Sequence, residues 1–263
     1  MRRRNTDEAW ESFGKSDPYF GVMADPKFHL NNLNKVAREE FFCSGKTYMS
    51  KLAATIRQKI KQDFQPQRSL DFGCGVGRIL LPLSDLSIEV VGIDVSKSML
   101  AEARNNIAKS GINNVRLFES DDNLSKLDGS FDFIHSFIVF QHIHPSRGEK
   151  ILNQLMRLLS PGGVAMLHFT YGANGFSPKF VSFMQRRIPF AKNLFNLLRG
   201  RKWSYPTMEM NSYSLPRLVE IFLNHRVNCF YAEATNHGGY VGLQFFLHKL
   251  GESVPPTTSE ECN

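Results

Sequence analysis

The chain has 263 residues, 42% of them hydrophobic, with 32 basic and 25 acidic side chains and a formal net charge of +7. That suits one domain with added segments, or two small ones, with apolar residues enough for a core. No run of about 18 apolar residues occurs, which argues against a membrane-spanning helix, and four cysteines (Cys43, Cys74, Cys229, Cys262) without C-x-x-C spacing point to a reducing, cytoplasmic setting with neither structural disulfide nor zinc.

Residues 1–45 precede the core. The basic Met1-Arg-Arg-Arg4 leads into a polar, acidic stretch and not a signal-peptide core. Trp10, Phe13, Tyr19 and Phe20 bracket the turn signal Asp17-Pro18; residues 38–42 have helical character, which Ser44-Gly45 breaks. An apolar cap on the core is expected here. In residues 46–64, Tyr48, Met49, Leu52, Ile56, Ile60 and Phe64 recur at helical spacing.

Next comes Ser69-Leu70-Asp71-Phe72-Gly73-Cys74-Gly75-Val76-Gly77-Arg78. A short apolar strand ends on an acid and turns through three alternate glycines. Glycines let the backbone approach a ligand closely, and a helix over residues 75–86, shortened or bent by Pro82, is expected to point its first N–H groups at the same place. Dinucleotide sites use the wider G-x-G-x-x-G. Here the spacing is tighter and Asp71 leads it, which would repel a pyrophosphate and suit a cationic ligand.

Glu89-Val90-Val91-Gly92-Ile93-Asp94 reads as a second buried strand, ending on an acid placed to hold ribose hydroxyls. Ser96 is the candidate N-cap of the helix that follows. A third strand, residues 115–119, ends near Asp121-Asp122, and a fourth, residues 131–137, leads to Gln141-His142. A helix then closes on Leu159-Ser160-Pro161-Gly162-Gly163 and gives way to a strand over residues 164–169.

Residues 171–211 are the least regular. Between Lys179 and Trp203 lie seven basic residues and no acid, interleaved with Phe180, Phe183, Ile188, Phe190 and Phe195; the chain's whole net charge of +7 therefore equals this segment's. A helical cap with a solvated face, contact with an anionic or lipid-bearing substrate or a membrane surface, and contact with nucleic acid are all open readings. Residues 212–252 return to the core, with a helix from Ser214, a strand over residues 226–234, a turn at His237-Gly238-Gly239 and a last strand over residues 243–248. Residues 253–263 are expected to be a disordered tail.

Together, Asp71-Phe-Gly-Cys-Gly-Val-Gly77, Gly92-Ile-Asp94-Val-Ser96, Asp121, the Phe131-Asp132 strand and Leu159-Ser-Pro-Gly-Gly163 resemble the class I S-adenosylmethionine-dependent methyltransferases, in order, over roughly residues 45–250. The resemblance implies an α/β, Rossmann-like sheet of seven strands, six parallel and one antiparallel, with helices on both faces. It implies a core over residues 46–170 with the cofactor across the ends of strands one to four, residues 1–45 as a lid, and residues 171–211 as a substrate cap. Toward S-adenosylmethionine it implies backbone approach at Gly73, Cys74, Gly75 and Gly77, with Asp71 beside the cationic methionine end and Phe137 near the methionine backbone. Arg78 reads either as the partner of the methionine carboxylate or as a solvated helix residue. Asp94 would take the ribose, Val95 and Met99 the adenine, and Asp121 or its neighbour Asp122 the adenine amino group.

The catalytic signature is thin, because in-line methyl transfer mainly requires positioning. His237 and His142 are the candidate bases, and Tyr19, His168 and Tyr240 the candidate substrate contacts. The acceptor would be a small molecule, anionic or amphipathic among the options, methylated on oxygen or nitrogen. Nucleic acid is disfavoured: Ser136-Phe-Ile-Val-Phe-Gln-His142 lacks the Asn/Asp-Pro-Pro-aromatic motif of base-amine enzymes. Phe169 is followed directly by Thr-Tyr-Gly-Ala-Asn, with no acid at that strand end to hold a metal. A partner protein that kept the fold without catalysis is the remaining alternative.

Overall fold

The computed structural model describes residues 6–173 and 208–251; the basic segment between Lys179 and Trp203, the Met1–Arg4 stretch and the 253–263 tail lie outside the described residues. The elements are α1 (Thr6–Ser16), α2 (Pro18–Val22), α3 (Lys35–Lys59), β1 (Arg68–Phe72), α4 (Leu80–Ser84), β2 (Glu89–Asp94), α5 (Lys97–Lys109), β3 (Val115–Glu119), β4 (Phe131–Ser136), α6 (Pro145–Leu158), β5 (Leu159–Ala173), α7 (Leu215–Asn224), β6 (Cys229–His237) and β7 (Tyr240–His248).

The seven strands form one sheet in the order β3-β2-β1-β4-β5-β7-β6. Only the pairings of β7 with β5 and β6 are antiparallel, so six strands run one way and β7 against them. The central strands are apolar on both faces, as a covered parallel sheet requires. Val91 and Ile93 pack with Ile151, Leu152 and Leu155 of α6 and Phe222 of α7. Val90, Phe133 and Met166 face Met49, Leu52 and Ile56 of α3 and Leu100 of α5. From β1 the order runs to β2 on one side and β4 on the other. Such a switch opens a crevice beyond the carboxyl ends of the strands. Among the described residues no helix is long and apolar enough to cross a membrane.

Several local expectations need correction. Ser44-Gly45 does not break a helix: α3 runs unbroken through it for 25 residues, from an Asn34 cap whose side chain accepts from the Ala37 N–H. Gly45 is there for contact, since a Cβ on it would lie 2.3 Å from the Arg78 carbonyl oxygen. The helix expected over residues 75–86 shrinks to the five residues of α4, with Pro82 buried within it. The strand expected from residue 226 begins at Cys229, because Arg226 takes a positive φ of 65°. It continues to His237, which pairs with Tyr240 across a two-residue turn of Gly238 (φ 61°) and Gly239 (φ 88°). Ser96 caps α5 as expected, accepting from the Met99 N–H at 3.1 Å.

Substituting Gly45→Ala should destabilise the protein by about 1–3 kcal/mol, because backbone and not a flexible side chain blocks the new methyl group. Thermal unfolding measures this; an unchanged midpoint would refute the close contact.

Candidate active site

A cavity of about 770 Å³ opens over the ends of β1, β2 and β4. Its floor is the glycine turn. Gly73 and Gly75 have φ of 77° and 54°, and a Cβ on them would lie 2.4 Å from Val139 and 2.6 Å from Val22. The turn is fastened downward. The N–H groups of Gly73 and Cys74 both donate to the Ile93 carbonyl, and that of Gly75 donates to the Asp94 carboxylate at 2.9 Å. These amides are therefore spent on β2, and α4 starts too late to aim its own at the cavity. The expectation of helix N–H groups facing the ligand does not hold; a side chain takes that place.

That side chain is Arg78. Its guanidinium lies 5.6 Å from the centre of the Tyr48 ring, its Nε is buried without a partner, and burial lowers its pKa. A buried, half-satisfied cation on a cavity wall suits a carboxylate. Asp94 lines the same cavity, its second oxygen accepting from the Ser96 N–H at 2.9 Å. Burial pushes its pKa up to about 6 against those two backbone donors. Each oxygen keeps a lone pair for a donor such as a ribose hydroxyl.

Val95, Met99, Asp121, Asp122, Cys74, Phe137 and Tyr240 also line the cavity. The Asp121 carboxylate is turned back onto its own loop, accepting from the Asn123 N–H and from the Ser125 N–H and hydroxyl. Hydrogen bonds from Ser125 hold its pKa down. Asp122 pairs with Arg147, whose guanidinium also grips Asp7 of α1 at 2.7 and 2.9 Å. The N-terminal segment thus forms a wall, with Asp7, Trp10, Val22 and Met23 facing in. Its other anchor is Glu11, which accepts from Ser96, the Ser98 N–H and the Ser98 hydroxyl. Burial raises the Glu11 pKa, but the hydrogen bonds from Ser98 and Ser96 outweigh it and bring it to about 2.

Three candidates do not reach the cavity. Gly77 serves the turn, with φ 89° and ordinary contacts around a notional Cβ. Tyr19 is buried among α2, α3 and α5, its hydroxyl 2.6 Å from Glu102 and 3.0 Å from Asn106, with the Arg38 guanidinium 4.7 Å over its ring. It staples the N-terminal segment to α5 and does not line the cavity. His168 lies one layer down, its Nε2 2.9 Å from the Thr235 hydroxyl and its ring against Phe137 and His237. Burial, with His237 and His142 nearby, lowers its pKa to about 3.

The two candidate bases differ. His142 lines the cavity, but its Nδ1 donates to the Glu209 carbonyl at 2.7 Å and its Nε2 meets the Gln141 amide at 3.2 Å. Burial lowers its pKa to about 4, so it is a neutral ring with both nitrogens engaged. His237 also lines the cavity, has a buried Nε2 without a partner and is kept neutral by burial. Its ring meets Phe137 edge-on at 5.6 Å.

Sequence reasoning missed Tyr48 and His135. His135 Nδ1 lies 2.7 Å from Asp71 Oδ1, and its Nε2 lies 3.0 Å from the Tyr48 hydroxyl. All three residues line the cavity, with His135 and Asp71 each only 2% exposed. The signal was present: Asp71 and His135 each stand one residue from the end of their strands, and β1 and β4 pair them in register. Among the described residues no group of three His, Cys, Asp or Glu side chains that could hold a metal ion occurs.

Residues 70–163 match the model of a methyltransferase domain family. The chain is 35% identical over 162 residues to the demethylmenaquinone methyltransferase of Thermus thermophilus, covering 60% of this chain and 68% of that protein. The chain belongs to the class I S-adenosylmethionine-dependent methyltransferases. It is also 29% identical over 129 residues to a ubiquinone biosynthesis O-methyltransferase of Chelativorans, across 48% of this chain and 50% of that one. The fold matches the Synechocystis magnesium protoporphyrin IX methyltransferase crystallised with S-adenosylhomocysteine, with a TM-score of 0.60, 15% identity, and coverage of 92% and 99% of the two chains. The methyltransferase takes S-adenosylmethionine as its cofactor, and the site fits it: orphaned Arg78 Nε for a carboxylate, half-buried Asp94 for hydroxyls, and a glycine floor with no room for Cβ atoms.

Asp94→Ala should weaken S-adenosylmethionine binding about 10- to 100-fold, the worth of hydrogen bonds to a charged group, without unfolding the chain. A carboxylate with a pKa of about 6 in the free protein becomes neutral below that pH, so affinity should fall as pH drops through 6. Calorimetry across pH 5–8 tests both, and a pH profile that Asp94→Asn leaves unaltered would remove Asp94 from the ribose site.

Proposed function

We propose that the enzyme transfers a methyl group from S-adenosylmethionine to an oxygen or nitrogen of a small, largely apolar acceptor. One observation carries this reading. The cavity that holds the cofactor residues is also lined by the apolar side chains of Trp10, Phe137, Ile143, Ile151, Met208 and Met210, which we take as the recess for the acceptor. Its volume of about 770 Å³ lies high in the roughly 300–1,000 Å³ range of small-molecule sites, and suits two ligands side by side. Relatives named for demethylmenaquinone and ubiquinone biosynthesis support a ring-bearing, amphipathic acceptor.

When bound, the cofactor supplies an electrophilic methyl group on a sulfonium. What the protein adds is alignment and exclusion of water. The N-terminal segment, tied by Glu11 and by Asp7–Arg147, acts as the lid over that contact. His237 projects from the β6–β7 hairpin as a neutral imidazole whose Nε2 has no protein partner. We assign it to hydrogen-bond the acceptor and orient its nucleophilic atom, while His142 serves as wall.

Labelled S-adenosylmethionine offered with a naphthohydroquinone, a catechol, phosphoethanolamine and bulk RNA tests the acceptor class. Transfer to one of the small molecules supports the proposal; transfer to RNA alone would overturn it. With the acceptor in hand, His237→Ala should lower kcat about 10²-fold with S-adenosylmethionine affinity unchanged by calorimetry. Equal turnover in the variant would make His237 structural.

A further inference from the structure

We propose that Tyr48, His135 and Asp71 form a relay that removes the acceptor's hydroxyl proton as the methyl group arrives. This rests on the proposed small-molecule acceptor and takes the oxygen of the two nucleophiles left open there, as a hydroxyl. The sheet builds the inner half: Asp71 and His135 are register partners on neighbouring parallel strands, so their side chains leave the same face together. A carboxylate only accepts, so the His135 Nδ1 carries the proton donated to Asp71 over 2.7 Å. The Nε2 lone pair is thereby left to accept, and the Tyr48 hydroxyl donates into it over 3.0 Å. With its own hydrogen directed at His135, the Tyr48 oxygen has lone pairs left as it stands on the cavity wall. The arrangement has the logic of a serine–histidine–aspartate triad, with a phenol passing a proton where serine would attack.

Tyr48 also stands at the reacting end. Its ring is 5.0 Å from Phe137, which in turn meets His237 at 5.6 Å, so Tyr48 and His237 flank one aromatic wall. The charged groups that face Tyr48 are Arg78 from the glycine loop, Asp71 from β1 and Glu233 from β6. His237 has no carboxylate behind it; its ring neighbours are Phe137 and the neutral His168. An imidazolium there would be buried without compensation, whereas one at His135 sits against Asp71.

The step balances. The acceptor oxygen forms its bond to the methyl carbon, and the sulfur keeps the electron pair of the broken S–C bond. The acceptor proton passes to the Tyr48 oxygen as the Tyr48 proton passes to His135 Nε2. One positive charge leaves the sulfonium and one appears on His135, so the net charge of the closed site does not change. Opening of the site then returns the proton to water.

The test uses 4-nitrophenol on the protein loaded with S-adenosylhomocysteine, at about one pH unit below the free phenol's own pKa, where binding as the yellow anion reports proton removal. The native protein should raise the anion-to-phenol ratio about tenfold or more. Tyr48→Phe and His135→Gln should lose the anion band. Calorimetry should give S-adenosylmethionine affinity within about threefold of native for a folded Tyr48→Phe variant. An anion band that survives Tyr48→Phe or His135→Gln, or never forms on the native protein, overturns the relay. So does a loss of cofactor affinity in Tyr48→Phe matching the loss of the band. An anion band on a native protein that methylates none of the offered small acceptors would keep the relay and discard that acceptor class.

Discussion

A buried carboxylate, Asp71, and a half-buried one, Asp94, stand at the carboxyl ends of the adjacent strands β1 and β2, and the site is organised by how each is satisfied. An unpaired buried charge costs several kcal/mol, so the surrounding chain must supply donors. Asp94 receives them from the backbone of Gly75 and Ser96. This pins the glycine turn on one side and starts α5 on the other. Asp71 receives its donor from His135, which ties β1 to β4 across the switch in strand order. The cavity floor, the adenosine end and the polar end of the acceptor recess all follow from those pairings.

The N-terminal cover is fastened to the same turns. Glu11 bonds to Ser96 and Ser98, directly after Asp94, and Arg147 joins Asp7 to Asp122, beside Asp121. Both anchors are charge-assisted and partly exposed, so they are individually modest and sensitive to salt. Tyr19 is the apolar hinge pin, buried beneath Arg38. The segment is thus held by a few polar contacts at one edge and by packed aromatic rings at the other, a construction that suits the proposed lid.

Legibility in the sequence followed the range of the interactions. The Asp71 to Gly77 turn, the Asp94 strand end and the Ser96 cap are local devices, and spacing within ten residues exposes them. The strand order and the single antiparallel strand came through the resemblance, since the pairing partners lie far apart in sequence. The α3 break was misjudged because Gly45 resembles a helix stop, yet its role depends on Arg78, which packs against it only in the fold. Tyr19 and His168 attracted attention by residue type, but both are buried structural contacts set by distant partners. His135 was the costliest omission: inside an apolar strand it looks like an oddity until β4 is laid beside β1.

The three histidines at the acceptor end show how burial sorts chemically identical rings. Burial lowers the pKa of both His142 and His168; His142 uses both nitrogens as hydrogen-bond struts, whereas His168 uses Nε2 and leaves a buried Nδ1 unpartnered. His237, its pKa also lowered by burial, has an unpartnered Nε2 in the same way. His135 alone among the four has a carboxylate at hydrogen-bond distance from its ring. On the proposed reading a sulfonium becomes a neutral thioether, and one positive charge has to be held until the site opens; the β1–β4 register sets a carboxylate beside the ring that would take it.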